Sequence, residues 1–91
     1  MTCAIQVVGV QSPRGLVRCS LSGQYLRAFR VHAHDGRAPI PTTRHPEKAA
    51  VFPTPKEALE FYRTRSVVVP TRPDGEPNRP LTALTIVVVP V

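Results

Sequence analysis

Two hydrophobic periods run along this chain, and the places where one gives way to the other mark its elements. Residues 3–10, CAIQVVGV, carry the two-residue repeat of a strand: Ile5 and Val7 share a face with Gln6 opposite, while Val8 and Val10 make the second face partly apolar. The QSPRG that follows is turn chemistry, so residues 16–21 read as a second hairpin arm, closed by the breaker Ser22-Gly23. Residues 24–33, QYLRAFRVHA, read as another strand, with Tyr25, Arg27, Phe29 and Val31 on one face and Leu26, Ala28 and Arg30 on the other. Asp35-Gly36 is a two-residue hairpin signal, and residues 38–43 form the returning arm. Pro39 and Pro41 have the same parity in that arm, so both missing N–H groups face one side and predict an edge strand.

The period then lengthens. In TPKEALEFYRTR, Thr54 is placed as an N-cap, Pro55 stands at the first helical position where its absent N–H costs nothing, and Glu57 completes a capping box. Ala58, Phe61, Tyr62 and Arg65 follow at helical spacing with Leu59 beside them, which predicts a helix over residues 55–65. Just before it, HPEKAAVF predicts a single turn from Pro46 and a short strand at 50–52. After it, residues 67–69 are β-branched and extended, and residues 81–89 form a strand that is apolar on both parities. Such a strand is either covered on both faces or contacts a partner.

Between these two runs lies a segment with Pro70, Pro73, Pro77 and Pro80, each holding φ near −65°. It is a stiffened arm with a PDG turn, suited to carrying the chain across the sheet so that the last strand lies beside the first. It also displays Arg72 and Arg79 on pre-ordered backbone. Loops of this length within compact domains are uncommon and tend to be functional.

Ninety-one residues make one domain, 1–91, and with five aromatics and no Trp the core must come from Val, Leu, Ile and Ala. Charge changes the picture more: twelve bases, ten of them Arg, stand against six acids, for a net +6. Guanidinium binds phosphate and carboxylate bidentately, so an anionic partner is expected, although an Arg-rich composition also follows from a GC-rich genome. The bases are scattered, and any patch must be assembled by folding; Arg27, Arg30, Arg63 and Arg65 are the candidates for nucleic-acid contact. No helix-turn-helix, zinc-finger or RNP-like motif is visible.

Catalytic material is thin. Glu57 is explained by capping, Glu60 by a solvated helix face, Glu47 by a short first turn, and Asp35 and Asp74 by turns. His32 and His34 share a face on an extended chain and with Asp35, His45 or a cysteine could ligate a metal, but no second ligand pair has suitable spacing. Cys3 and Cys19 read as reduced thiols, and neither is marked as an activated nucleophile. The expectation is a protein that is not an enzyme, with no cofactor and no metal. The opening MTCAIQ has no signal-peptide character, and no apolar run is long enough for a membrane span, so a cytoplasmic protein without a membrane partner is expected.

The succession GQYLRAFRVHAHDG, HPEKAAVFPTPKEALEFYR and RPDGEPNRPLTALTIVV resembles a group of short uncharacterised proteobacterial and phage-associated proteins, over roughly residues 24–89. Residues 72–83 carry its most specific part. The resemblance implies a bacterial or phage setting, a cytoplasmic location and a small α+β fold; it assigns no catalytic or binding residue.

These readings converge on an α+β fold: an antiparallel sheet of four to five strands with one helix, about 55–65, packed on one face. The leading functional expectation is a small non-enzymatic binding module of phage or mobile-element type, acting on a protein or nucleoprotein partner, for example as an inhibitor of a host complex. Arg72, Arg79, Val87 and Val89 are its expected partner-binding residues. A sequence-independent nucleic-acid-binding protein and a structural homo-oligomer joined through the C-terminal strand are the alternatives.

Overall fold

Strand β1 (Cys3–Ser12) is the hub of the sheet in the computed structural model, which describes residues 2–91. It pairs antiparallel with β2 (Gly15–Val17), β3 (Tyr25–Leu26) and β5 (Thr85–Pro90), and β4 (Thr42–Thr43) extends the sheet beyond β3. The architecture is α+β, with one five-stranded antiparallel sheet and, among the described residues, a single α-helix, α1 (Pro55–Tyr62). The proline arm does bring the last strand beside the first: β5 lies along β1 from Cys3 to Gly9.

Alternation decides which side of the sheet is core. Cys3, Ile5 and Val7 are buried on one face of β1, and Val88 and Ile86, directly opposite Ile5 and Val7, pack onto the same cluster. Helix α1 covers this face with its fully buried Ala58 and with Phe61 and Tyr62, and Leu26, Val31, Leu81 and Leu84 complete the core. The Tyr62 hydroxyl donates to the Leu84 carbonyl (2.6 Å), tying the helix to the approach to β5. On the other face Gln6 lies opposite Val87, which is 42% exposed, and Ala4 lies opposite the half-buried Val89. A register shift between Val7 and Gly9 bends β1 where β2 begins. Only glycine fits there, because a Cβ on Gly9 would stand 2.3 Å from the Val17 carbonyl oxygen.

The helix begins as expected and ends early. Thr54 is extended and its hydroxyl accepts the Glu57 N–H (3.3 Å), with Pro55 at the first helical position. The Glu57 carboxylate meets the Thr54 hydroxyl (3.5 Å) instead of its N–H, so the box is half closed. Tyr62 is the last helical residue. Thr64 turns its hydroxyl back onto the Glu60 carbonyl (3.0 Å), and the Ser66 N–H is taken by the Asn78 carbonyl (2.7 Å), which draws the chain off the helical path.

Other expectations need correction. The strand expected over residues 24–33 survives only as Tyr25–Leu26; the Arg27 N–H still bonds the Pro41 carbonyl, and the chain then winds into a 3₁₀ turn, Val31–Ala33, that buries Val31. Asp35-Gly36 therefore closes no two-residue hairpin but lies within the long loop joining the antiparallel pair β3 and β4. Asp35 Oδ1 accepts the Arg37 and Ala38 N–H groups (2.7 and 3.0 Å) in a local turn, and the returning arm pairs only at Thr42–Thr43, which is an edge strand. The second hairpin arm is short, Gly15–Val17, across the two-residue turn Pro13-Arg14. Phe52 bridges to Cys3 without forming a longer strand, whereas the single turn at Pro46–Lys48 is present. Residues 80–83 wind into a 3₁₀ helix that buries Pro80 and Leu81, so the final strand starts at Thr85. Residues 67–69 are not a strand but an exposed arch.

A candidate anion-binding cleft

The proline segment folds onto itself. Thr71 and Pro77 pair across it, the Arg72 N–H donates to the Glu76 carbonyl (2.8 Å), and the Gly75 N–H donates to the Arg72 carbonyl (2.9 Å). Asp74 closes the tip: its carboxylate accepts the Glu76 N–H (3.0 Å) and pairs with the Arg72 guanidinium. These donors, the Glu76 N–H first and Arg72 second, hold the Asp74 carboxyl below the usual aspartate range. Arg65 braces the base, with Nε on the Pro70 carbonyl (2.7 Å) and Nη2 on the Thr71 hydroxyl (3.3 Å).

Asn78 joins this loop to a second one. Its side chain is buried, and Nδ2 donates both to the Val69 carbonyl (2.8 Å) and to the Asp35 carbonyl (2.9 Å). Gly36 packs against the same amide at φ +91°, a conformation that favours glycine, and a Cβ there would stand a tight 3.0 Å from Asn78 Oδ1. The loop around Gly36 is held from within by His34, which is buried. The His34 Nδ1 accepts the Gly36 N–H (2.9 Å), which leaves the proton on Nε2 to be donated to the Ala38 carbonyl (2.8 Å). His32 is exposed, so the two histidines do not share a face and His34 has no free ring nitrogen for a metal. Asp35 sits below the usual carboxylate range because the Arg37 and Ala38 N–H groups bond to it.

An open cleft of about 310 Å³ lies between the two loops, with Arg37 from one and Val69, Arg72, Asn78 and Arg79 from the other, and with Pro80 and Ala83 beyond. That volume is at the small end of ligand sites. Three arginines thus line one concavity, with two acids nearby: Asp74, which Arg72 already engages, and Asp35 beside Arg37. Among the described residues neither the Arg37 nor the Arg79 guanidinium has an ion-pair partner. Fixed backbone with unpaired guanidiniums is what binding of a carboxylate or phosphate requires, since little ordering entropy remains to be lost.

No protein-family model matches this chain, and comparison with curated proteins and with solved structures finds no match either. The cleft has to be read from its own chemistry.

The structure gathers some of the expected site residues and disperses others. Arg72 and Arg79 line the same cleft, but Val87 and Val89 do not; Val89 borders a separate apolar hollow of about 230 Å³ with Cys3 and Pro55. Arg27, Arg30, Arg63 and Arg65 are all exposed, yet they line no common cavity, and Arg65 is committed to bracing the proline loop. Arg63 lies with Lys56, Leu59 and Glu60 along the helix. Two features escaped the sequence reading. Arg37 is brought to Arg72 and Arg79 by long-range links, Asn78 to the Asp35 carbonyl and the Val67 N–H to the His32 carbonyl, which have no local signature. The exposure of residues 67–69 reverses what their β-branched apolar composition suggests.

Proposed function

We propose that this protein is a small non-enzymatic binding module that engages its partner through anionic groups seated between Arg37, Arg72 and Arg79. One observation carries the reading: of the three arginines lining the cleft only Arg72 is held in an ion pair, while Arg79 has none and Arg37 has Asp35 nearby without an ion-pair contact. The acids that might serve chemistry hold structure instead, with Asp35 and Asp74 closing turns and Glu57 at the helix cap. The resemblance of residues 24–89 to phage-associated proteins supports a cytoplasmic accessory role, such as inhibition of a host complex. Pull-down from a bacterial lysate with and without nuclease tests the reading. A partner retained under nuclease and lost with Arg37→Ala/Arg79→Ala supports it; a nuclease-sensitive partner favours direct, sequence-independent nucleic-acid binding, and capture unaffected by the variant refutes the cleft.

Self-association through β5 is a second reading, favoured by an open strand edge. The Val91 N–H bonds the Thr2 carbonyl, so by antiparallel alternation Val89 and Val87 also face β1, and the N–H groups of Ile86 and Val88 point away from it. Pro90 shares that outer parity and brings no donor, which shortens the edge to two residues. Light scattering distinguishes monomer from assembly.

A further inference from the structure

Beside the cleft stands a surface that charge does not explain. Val67, Val68 and Val69 are 70%, 59% and 40% exposed, three consecutive β-branched side chains turned to solvent. They are not exposed through want of structure. The Val67 N–H is anchored on the His32 carbonyl (2.7 Å), the Val69 N–H on the Ser66 hydroxyl (3.1 Å), and the Val69 carbonyl accepts from Asn78 Nδ2 (2.8 Å). The fold fixes this apolar arch outward from both ends. Val69 itself lines the arginine cleft, so the apolar arch and the cationic cleft are one continuous surface.

A nucleic-acid strand would use such a surface poorly. Single-stranded binding relies on aromatic platforms for the bases, and none of the chain's five aromatics lines the cleft; Phe29, Phe52 and Phe61 pack against one another beside the core. Fixed aliphatic side chains next to unpaired guanidiniums complement a chain that offers an acid and an aliphatic group side by side.

Resting on the anion-binding reading above, we propose that the cleft takes an acidic segment of a protein partner, with a Glu or Asp carboxylate between Arg37 and Arg79 and an adjacent aliphatic side chain on Val67–Val69. Fluorescence anisotropy on the full chain tests this with three probes of matched charge: a peptide alternating Glu and Leu, its Glu–Ser counterpart, and a short oligothymidylate. The Glu–Leu peptide should bind about tenfold more tightly than the Glu–Ser peptide, the equivalent of burying one aliphatic side chain. Val67→Ser/Val68→Ser should erase that difference and leave Glu–Ser binding unchanged, because both valines are exposed and their loss should spare the fold. Arg37→Ala/Arg79→Ala should weaken both peptides. Equal affinity for the two peptides, a Leu preference that survives the valine replacement, or tightest binding of the oligothymidylate overturns the proposal while leaving an anion site in place. If no probe binds, or if binding ignores Arg37 and Arg79, the anion-binding reading falls with it.

Discussion

The side-chain amide of Asn78 donates to the backbone carbonyl of Asp35 at 2.9 Å, across 43 positions of sequence. Its second N–H reaches the Val69 carbonyl at 2.8 Å, so one buried side chain ties the turn carrying Arg37 to the loop carrying Arg72 and Arg79. With the Val67 N–H on the His32 carbonyl (2.7 Å), it holds the two cleft-lining segments together.

Replacing Asn78 by Ala leaves two carbonyls without their donor and should destabilise the fold by about 1–3 kcal/mol. Asn78→Asp should be worse, because it sets a carboxylate against the Asp35 and Val69 carbonyl oxygens. Thermal unfolding of the two variants checks the order, and an aspartate variant as stable as wild type would show that the amide is not the pin.

The helix cap offers a local test. Thr54 accepts the Glu57 N–H, so Thr54→Ala should cost about 0.5–2 kcal/mol. The Glu57 carboxylate does not reach back to the Thr54 N–H, so Glu57→Ala should cost less than the threonine replacement. Denaturant melts of the two variants measure both.

Acid should loosen the cleft before it unfolds the core. Asp35 and Asp74 are each held below the usual carboxylate range, first by backbone N–H donors. A depressed folded-state value means that their contribution is present above the unfolded value of about 3.9 and is lost as pH falls through the lower folded value. Amide exchange at Arg37, Ala38 and Glu76 should therefore quicken, relative to β1, as pH falls below about 4. Uniform behaviour across the chain would contradict it.

At alkaline pH the sign reverses. Burial pushes the Tyr62 hydroxyl above its ordinary value, so its contribution is intact below about pH 10 and is lost as pH rises through the higher folded value. Tyr62→Phe removes the hydrogen bond to Leu84, should cost about 0.5–1.5 kcal/mol at neutral pH, and should flatten the alkaline decline in stability. Spectroscopic titration of the tyrosines and melts at several pH values check this.

Strand β5 is tested separately from the cleft. Val87→Thr/Val89→Thr keeps strand propensity while removing apolar surface. If the homo-oligomer reading is right, light scattering should find assembly in wild type and loss of it in the variant; a monomer in both cases would reduce β5 to an edge.

What could be read from sequence was what is decided locally. The alternation of Ile5 and Val7 and the Thr54 N-cap with Pro55 depend on residues close in sequence, and they appear as expected, although Glu57 leaves the capping box half closed. Residues 27–33 misled because Val31 reaches the core through a tight turn and not by strand pairing. Asp35-Gly36 carries hairpin chemistry but is fastened to Asn78, far along the chain, and no periodicity records such a link. For the same reason Arg72 and Arg79 were recognisable on their stiff loop while Arg37 was not.

The central claim, that Arg37, Arg72 and Arg79 form one anion site, is tested most directly by titrating the isotope-labelled protein with a glutamate hexapeptide at low salt while following backbone amide shifts. Saturable changes should concentrate at Gly36, Arg37, Arg72, Asn78 and Arg79, and they should fade as salt is raised. Changes centred instead on Arg27, Arg30 and Arg63, or spread evenly over every exposed arginine, would contradict it.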